Sequence, residues 1–280
     1  MKNKMKLSQG FSLVELMVSL VAGLIVIGAV GAFTVSSLQS NAEYIQATRL
    51  TQELRNTMDF ASRELRRAGY DEKAIELLLK TVTIPSPFVP IFAPNAYLCY
   101  GTNPAATPTP STVTCGASVA FRGSLDNNCI IYAYDRGAGT AGTVNLANGE
   151  IRGLRRSTTT VNGIAIGVIE MAESSAGVTP SCTGAAVDYT TYPASCSSNG
   201  WCALSDPRQL DVISLDIDVA STPGSLSTTN NLLVRAIDVS IQGRLPGQPD
   251  VVRGLRSSIK IRSDCIRSTT AACESSPTGT

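Results

Sequence analysis

Hydrophobic and polar positions divide this chain into three stretches with different periods. Residues 11–33 read FSLVELMVSLVAGLIVIGAVGAF, apolar on every side of a helix, with Glu15 the only charge. A helix over that run would rise about 35 Å, enough to cross the hydrocarbon core of a bilayer. Residues 34–68 become amphipathic. Leu54, Met58, Ala61, Leu65 and Ala68 fall at steps of four and three, one helical face, with Arg55, Asp59, Arg63 and Arg66 off it. No proline occurs before Pro85, and Gly69 follows Arg66 and Arg67 as a C-terminal cap. The pattern therefore predicts one helix from Phe11 to Ala68, about 87 Å long. Gly23, Gly28 and Gly31 would soften it locally.

Beyond Tyr70 the period changes. A short helix-like stretch, Asp71 to Lys80, gives way to a proline-rich region and the low-complexity loop GTNPAATPTPSTVT at residues 101–114. Strand candidates follow at Val119 to Phe121, Cys129 to Tyr134, Ile151 to Arg156 and Ile164 to Met171. The C-terminal third alternates cleanly. Leu210, Val212, Ser214, Asp216 and Asp218 interleave with Ile213, Leu215, Ile217 and Val219. Leu232 to Ile241 and Val251 to Ile261 follow, the last two separated by Pro246-Gly247-Gln248-Pro249. These three strands are expected to form an antiparallel meander, polar face to solvent and apolar face to the helix. The expected fold class is α+β: a long N-terminal helix packed on an antiparallel sheet with disulfide-stapled loops.

Charge gives the helix a direction. Lys2, Lys4 and Lys6 precede the apolar run, and no basic residue follows it directly. This bias places the N-terminus in the cytoplasm and the remainder outside, where disulfides form. A secretory signal ends in small residues after its apolar core. Here the small residue, Gly10, comes before it, so cleavage at Gly10 would leave the apolar helix on the mature chain. Glu15 is the second oddity, because a carboxylate in an apolar span is costly unless paired or held near the interface. It either reaches the headgroups or meets a partner's positive group during assembly.

The stretch GFSLVELMVSL at residues 10–20 resembles the class III signal of type IV pilins and type II secretion pseudopilins. The glycine, the phenylalanine after it, the glutamate five residues into the mature chain and the long apolar helix occur together in that order. The resemblance implies cleavage between Gly10 and Phe11 by a prepilin peptidase and N-methylation of Phe11. It also implies that Glu15 pairs with the N-terminal amine of a neighbouring subunit, or guides register. Glu64-Leu65-Arg66-Arg67-Ala68-Gly69-Tyr70 is similar to the end of the first helix in PilW-family minor pilins, and J-type minor pseudopilins end that helix in a related way. The implied organisation is a leader at 1–10, a transmembrane and filament-core helix at 11–33, its amphipathic half at 34–69 and a periplasmic β-rich domain at 70–280. The implied partners are other minor pilins, the major pilin, the prepilin peptidase, the inner-membrane assembly platform and a large tip adhesin. The implied location is the inner membrane before assembly and the pilus tip afterwards. From about residue 81 to 205 the likeness is weakest.

Composition removes several chemistries. The chain has no histidine, which excludes Ser-His, Cys-His and His-metal mechanisms. Its net charge of +1 argues against a generally nucleic-acid-binding surface. The cysteines, Cys99, Cys115, Cys129, Cys182, Cys196, Cys202, Cys265 and Cys273, contain no CxxC pair and are an even number. They are disulfide candidates, the cheapest pairings being Cys265 with Cys273, and Cys196 with Cys202 or Cys182. Asp216 and Asp218 share one strand face and could bind calcium or act as acid and base, but a strand's solvated face is the commoner explanation. Asp126-Asn127-Asn128 lacks the EF-hand spacing and reads as a turn. Gly137 to Gly139 lacks the lysine and helix of a phosphate loop. Arg253, Arg256, Lys260 and Arg262 form one basic cluster, and Arg152, Arg155 and Arg156 another. Both could meet DNA or a neighbouring pilin, although no aromatic residues interleave with them.

The leading expectation is a non-enzymatic minor pilin of a type IV pilus, within the priming and tip complex, with no cofactor or metal. The alternatives are a J-type minor pseudopilin of a type II secretion system, a membrane-anchored periplasmic hydrolase using Asp216 and Asp218, and an adhesin or DNA receptor.

Overall fold

In the computed structural model the described residues are 12–72, 88, 97–100, 117–120, 128–137, 144–191, 193–218, 225–226, 232–234, 236–261 and 265–266. Helix α1 runs from Leu13 to Leu65. Strands follow in chain order: β1 (Tyr97–Tyr100), β2 (Ala117–Ala120), β3 (Cys129–Ala133), β4 (Ile151–Val161), β5 (Ile164–Glu173) and β6 (Trp201–Ala203). Then come β7 (Asp211–Asp218), β8 (Ser225–Leu226), β9 (Leu232–Val234), β10 (Ala236–Leu245), β11 (Gln248–Lys260) and β12 (Cys265–Ile266). The stretch 73–80, the loop 101–114 and Phe121 lie outside the described residues.

The chain divides into two compact units, residues 1–48 and 49–280. The division falls inside α1. Burial explains the position: Leu50 is the first helix residue whose side chain is fully covered. In the first unit the large apolar side chains from Leu13 to Val35 are 56% to 76% exposed.

In the second unit the predicted stripe Leu54, Met58, Ala61, Leu65 and Ala68 is buried, joined by Leu50, Thr57 and Ser62. The helix tightens at its end through Arg67 N–H to Glu64 O and Ala68 N–H to Leu65 O. Gly69 then takes a left-handed φ of 75°, the conformation in which glycine carries no Cβ penalty. Its N–H donates to Ala133 O at 2.8 Å, and Asp135 N–H donates to Tyr70 O at 2.8 Å, tying the helix end to β3.

The sheets are antiparallel. The order β11-β10-β7 is the expected C-terminal meander, with β8 and β9 inserted between β7 and β10; the expected middle strand, Leu232 to Ile241, is divided, because residues 232–234 form β9 and pair with β8 and β12 instead. Ile237, Val239 and Ile241 of β10 face the core while Asp238, Ser240 and Gln242 face outward. A Cβ on Gly243 would lie 2.6 Å from Leu210 Cδ1 and 3.2 Å from Leu54 Cδ2, so this glycine makes room for both leucines against β10. Leu245 pairs with Gln248 across a Pro246-Gly247 turn, Gly247 at φ 81°, the conformation a type II turn requires after proline.

A second sheet has the order β3-β4-β5-β6. Residues 151–155 of β4 are all buried, so this strand is covered on both faces. β4 and β5 join through Asn162-Gly163, both at positive φ (51° and 80°), a two-residue hairpin turn. The two sheets meet where Gly167 N–H donates to Asp211 Oδ1 (2.8 Å) and Arg156 Nε donates to Val212 O (2.7 Å). The pairs β1-β2 and β12-β9-β8 form smaller sheets.

Candidate functional site

Two features of the chain are candidates for function: the apolar first part of α1, and a clamped loop on the four-stranded sheet.

The first begins at Ser12, whose carbonyl accepts from Glu15 N–H (3.0 Å) and Leu16 N–H (3.2 Å). Glu15 therefore sits in the first turn of α1, where the helix dipole favours a negative charge. Gly10 and Phe11 lie outside the described residues. Around Gly23, Gly28 and Gly31 an added Cβ would meet nothing within 4 Å. The large apolar side chains of this part of α1 are exposed, and a helix apolar on all sides is the kind that lipid or other helices bury. By length and composition α1 is able to cross a membrane.

The second feature comes from two adjacent rows on one face of the sheet. In the first row Ile131, Gly153, Ala172 and Trp201 lie side by side. A Cβ on Gly153 would sit 2.7 Å from the Trp201 ring, so the small residues make room for the indole to lie across the sheet. In the next row Cys129, Arg155 and Glu170 are side by side. Arg155 stacks on the indole at 4.0 Å. Its Nε and Nη2 bind Glu170 Oε2 at 2.8 and 2.7 Å. Its remaining donors reach the carbonyls of Cys182 (3.2 Å), Gly184 (2.8 Å) and Ala185 (2.9 Å). All five guanidinium N–H groups are thus used. The other Glu170 oxygen accepts from Val187 N–H at 3.2 Å, and Trp201 Nε1–H donates to Ser181 O at 3.0 Å. Disulfides Cys129–Cys182 and Cys196–Cys202 complete the clamp. The loop between β5 and β6 is held on the sheet by this one buried cation and two covalent bonds.

Cys196 is therefore bonded to Cys202, and Cys182 reaches far along the chain to Cys129. Cys99 lies in β1 opposite Ser118 and Cys265 in β12 opposite Leu233. Their side chains, with Cys115 and Cys273, lie outside the described residues, and so does any Cys265–Cys273 bond.

Arg152 and Arg155 correct the expectation of a surface cluster, because both are buried. Arg152 binds Gly149 O (3.0 Å) and Glu173 (2.9 Å), and Arg156 is spent on Val212 O. Strand register turns Arg152 and Arg155 inward, where DNA or a neighbouring protein cannot reach them, and leaves Arg156 half-buried. Nearby, burial pushes the Glu150 carboxyl above its ordinary value, against the N–H of Asn145 that favours its charged form. Its Oε1 has no hydrogen-bond partner among the described residues.

Asp216 and Asp218 share the outer face of β7, and Asp238 of β10 lies opposite Asp218. Hydrogen bonds from Ser258 and Arg256 hold the Asp238 carboxyl below its usual range. Among the described residues no three of the Cys, Asp and Glu side chains are grouped to hold a metal ion. Arg253, Arg256 and Lys260 lie on β11. Arg262, Asp126, Asn127, Ala138 and Gly139 lie outside the described residues.

A long apolar N-terminal helix whose second half packs on antiparallel sheets is a pilin-like architecture. The chain belongs to the prepilin peptidase-dependent protein B family, whose pattern matches residues 43–261. Residues 5–31 match the prokaryotic N-terminal methylation motif. Both matches describe a prepilin peptidase-dependent, pilin-like structural protein, and neither is a catalytic family. No curated protein and no solved structure matches the chain.

Proposed function

We propose that this chain is a minor pilin of a type IV pilus, PilW-like, acting without catalysis in the complex that primes assembly and caps the tip. The supporting observation is the overlap of the methylation motif at residues 5–31 with a helix that is exposed on every side from Leu13 to the end of the motif. In this reading the leader is removed after Gly10, Phe11 is methylated, and the globular domain lies in the periplasm. The bare helix sits in the inner membrane until neighbouring helices replace the lipid. An unpaired Glu15 is costly in lipid. A neighbour's N-terminal amine relieves that cost only in the filament, which gives extraction a direction and a register.

The test is Glu15→Ala in the full chain. The variant should accumulate in the membrane with a folded domain and fall out of sheared filaments. Normal incorporation would overturn the role given to Glu15. A role as a J-type minor pseudopilin rests on the same helix. Its distinguishing result is recovery with a secretion pseudopilus and not with a pilus.

A further inference from the structure

The arginines on the sheets are docked on acceptors of their own chain. Arg136 and Arg152 bind Glu173, Arg155 binds Glu170, Arg244 binds Asp211 and Arg256 binds Asp238. The outward face of residues 49 to 67, the end of α1 and the turn that follows it, differs. Its exposed charges are Arg49, Arg55, Arg63, Arg66 and Arg67, against a single exposed carboxylate, Asp59. Arg67 turns to Glu64 at 3.3 Å, and Arg63 Nε reaches only the backbone of Asp59. Arg49, Arg55 and Arg66 bind no acceptor among the described residues. The face extends about 27 Å along the helix. A net charge of +1 over the whole chain means that this field is local.

Three properties of the face select its partner. All of its cations are arginine, whose planar fork matches a carboxylate bidentately and is weakly hydrated. Arg55, Asp59 and Arg63 follow at four-residue steps, a ridge of the kind that fits the groove of another helix. The neutral Gln52 and Asn56 are also exposed on this face and supply donors and acceptors between the charges. A nucleic acid fits less well, because Asp59 inside the ridge would repel phosphate and the exposed residues of this face include no aromatic side chain on which a base could stack.

We propose that this ridge docks the acidic helix of a different pilin-like subunit, one with carboxylates at three- and four-residue spacing and a cation opposite Asp59. The proposal rests on the filament reading above and adds to it the chemistry of the neighbour.

The experiment places a photo-crosslinking residue at Asn56 of the full chain, in cells that express the other prepilin-class subunits of the same assembly with tags. It compares the parent with Arg55→Glu/Arg63→Glu/Arg66→Glu and with the corresponding glutamine variant. Trp201 fluorescence checks that both variants keep the folded domain. The expected result is a crosslink to a carboxylate-bearing stretch in the long helix of one tagged subunit. Its yield should fall about tenfold or more in the glutamate variant, because attraction becomes repulsion, and less in the glutamine variant. Reversing the facing carboxylates to lysine should restore it. A crosslink of unchanged yield, or one to a sheet surface, overturns the inference. So does normal incorporation of the glutamate variant into filaments, which leaves the filament reading intact. Binding of the parent to short duplex DNA at about 0.15 M salt, lost in the glutamate variant while incorporation persists, assigns the ridge to nucleic acid instead. Absence of the parent chain from filaments overturns both readings together.

Discussion

Replacing Glu170 by glutamine isolates the buried charge that holds the loop between β5 and β6. Glu170 is fully covered and Arg155 is 5% exposed, so neither charge is shared with water. The carboxylate accepts from Arg155 through one oxygen and from Val187 N–H through the other. Glutamine keeps the shape but must turn its amide group towards one of these two donors. The guanidinium would then remain stacked on Trp201 with no counter-charge. Removing one partner of such a pair costs about 3–5 kcal/mol, a large share of the roughly 5–15 kcal/mol that stabilises a typical domain. Trp201 is the only tryptophan and lies against Arg155, so its fluorescence reports the event directly. Urea unfolding of the full chain in detergent should show Glu170→Gln shifted to lower denaturant. Arg155→Met combined with Glu170→Met should lose less than the two single replacements added together, because apolar side chains of similar size fill the same space. A loss below about 1 kcal/mol for Glu170→Gln, the value of a surface pair, would refute the reasoning.

Other outcomes follow from the same geometry. Removing Cys129–Cys182 (separation 53) should cost about 4 kcal/mol and removing Cys196–Cys202 (separation 6) about 2 kcal/mol on the chain-entropy model; serine pairs compared by urea midpoint check the ranking. Gly167→Ala should destabilise strongly, because its Cβ would collide with the Val212 carbonyl where β5 meets β7; a wild-type thermal midpoint would contradict that contact. Burial raises the Glu150 carboxyl above 4.5, so its contribution to stability is present below that pH and is lost as pH rises through its folded value. Glu150→Gln should remove that downward slope in unfolding midpoints as pH rises above 4.5, and an unchanged slope would exclude Glu150 as its source.

Legibility varied with the kind of interaction. The helix and its buried stripe were readable because a 3.6-residue period is a local property. Leu54 through Ala68 needed no knowledge of what covers them. β7, β10 and β11 were readable for the same reason, each with one wet face. β4 was only half readable. It is covered on both sides, and its buried arginines look in sequence like a surface patch. Nothing local marks Gly153 as the space for an indole that follows 48 residues later in the chain. Cys182 looked closer to Cys196 than to Cys129 because chain distance conceals what β3 and the loop bring together. One local signal does mark a connection: the Asn162-Gly163 pair between two apolar runs joins β4 to β5 as a hairpin. Glu15 was found through motif order, since its surroundings in a filament belong to other chains.

The central claim is that the N-terminus is processed so that the apolar helix begins at its methylated first residue. Intact mass and N-terminal sequence, measured on protein from membranes and from sheared filaments, test this most directly. The expected chain begins at N-methylated Phe11 and occurs in both fractions. A chain that keeps Met1, or that is cut after the apolar run, would contradict the claim and remove the basis for filament assembly.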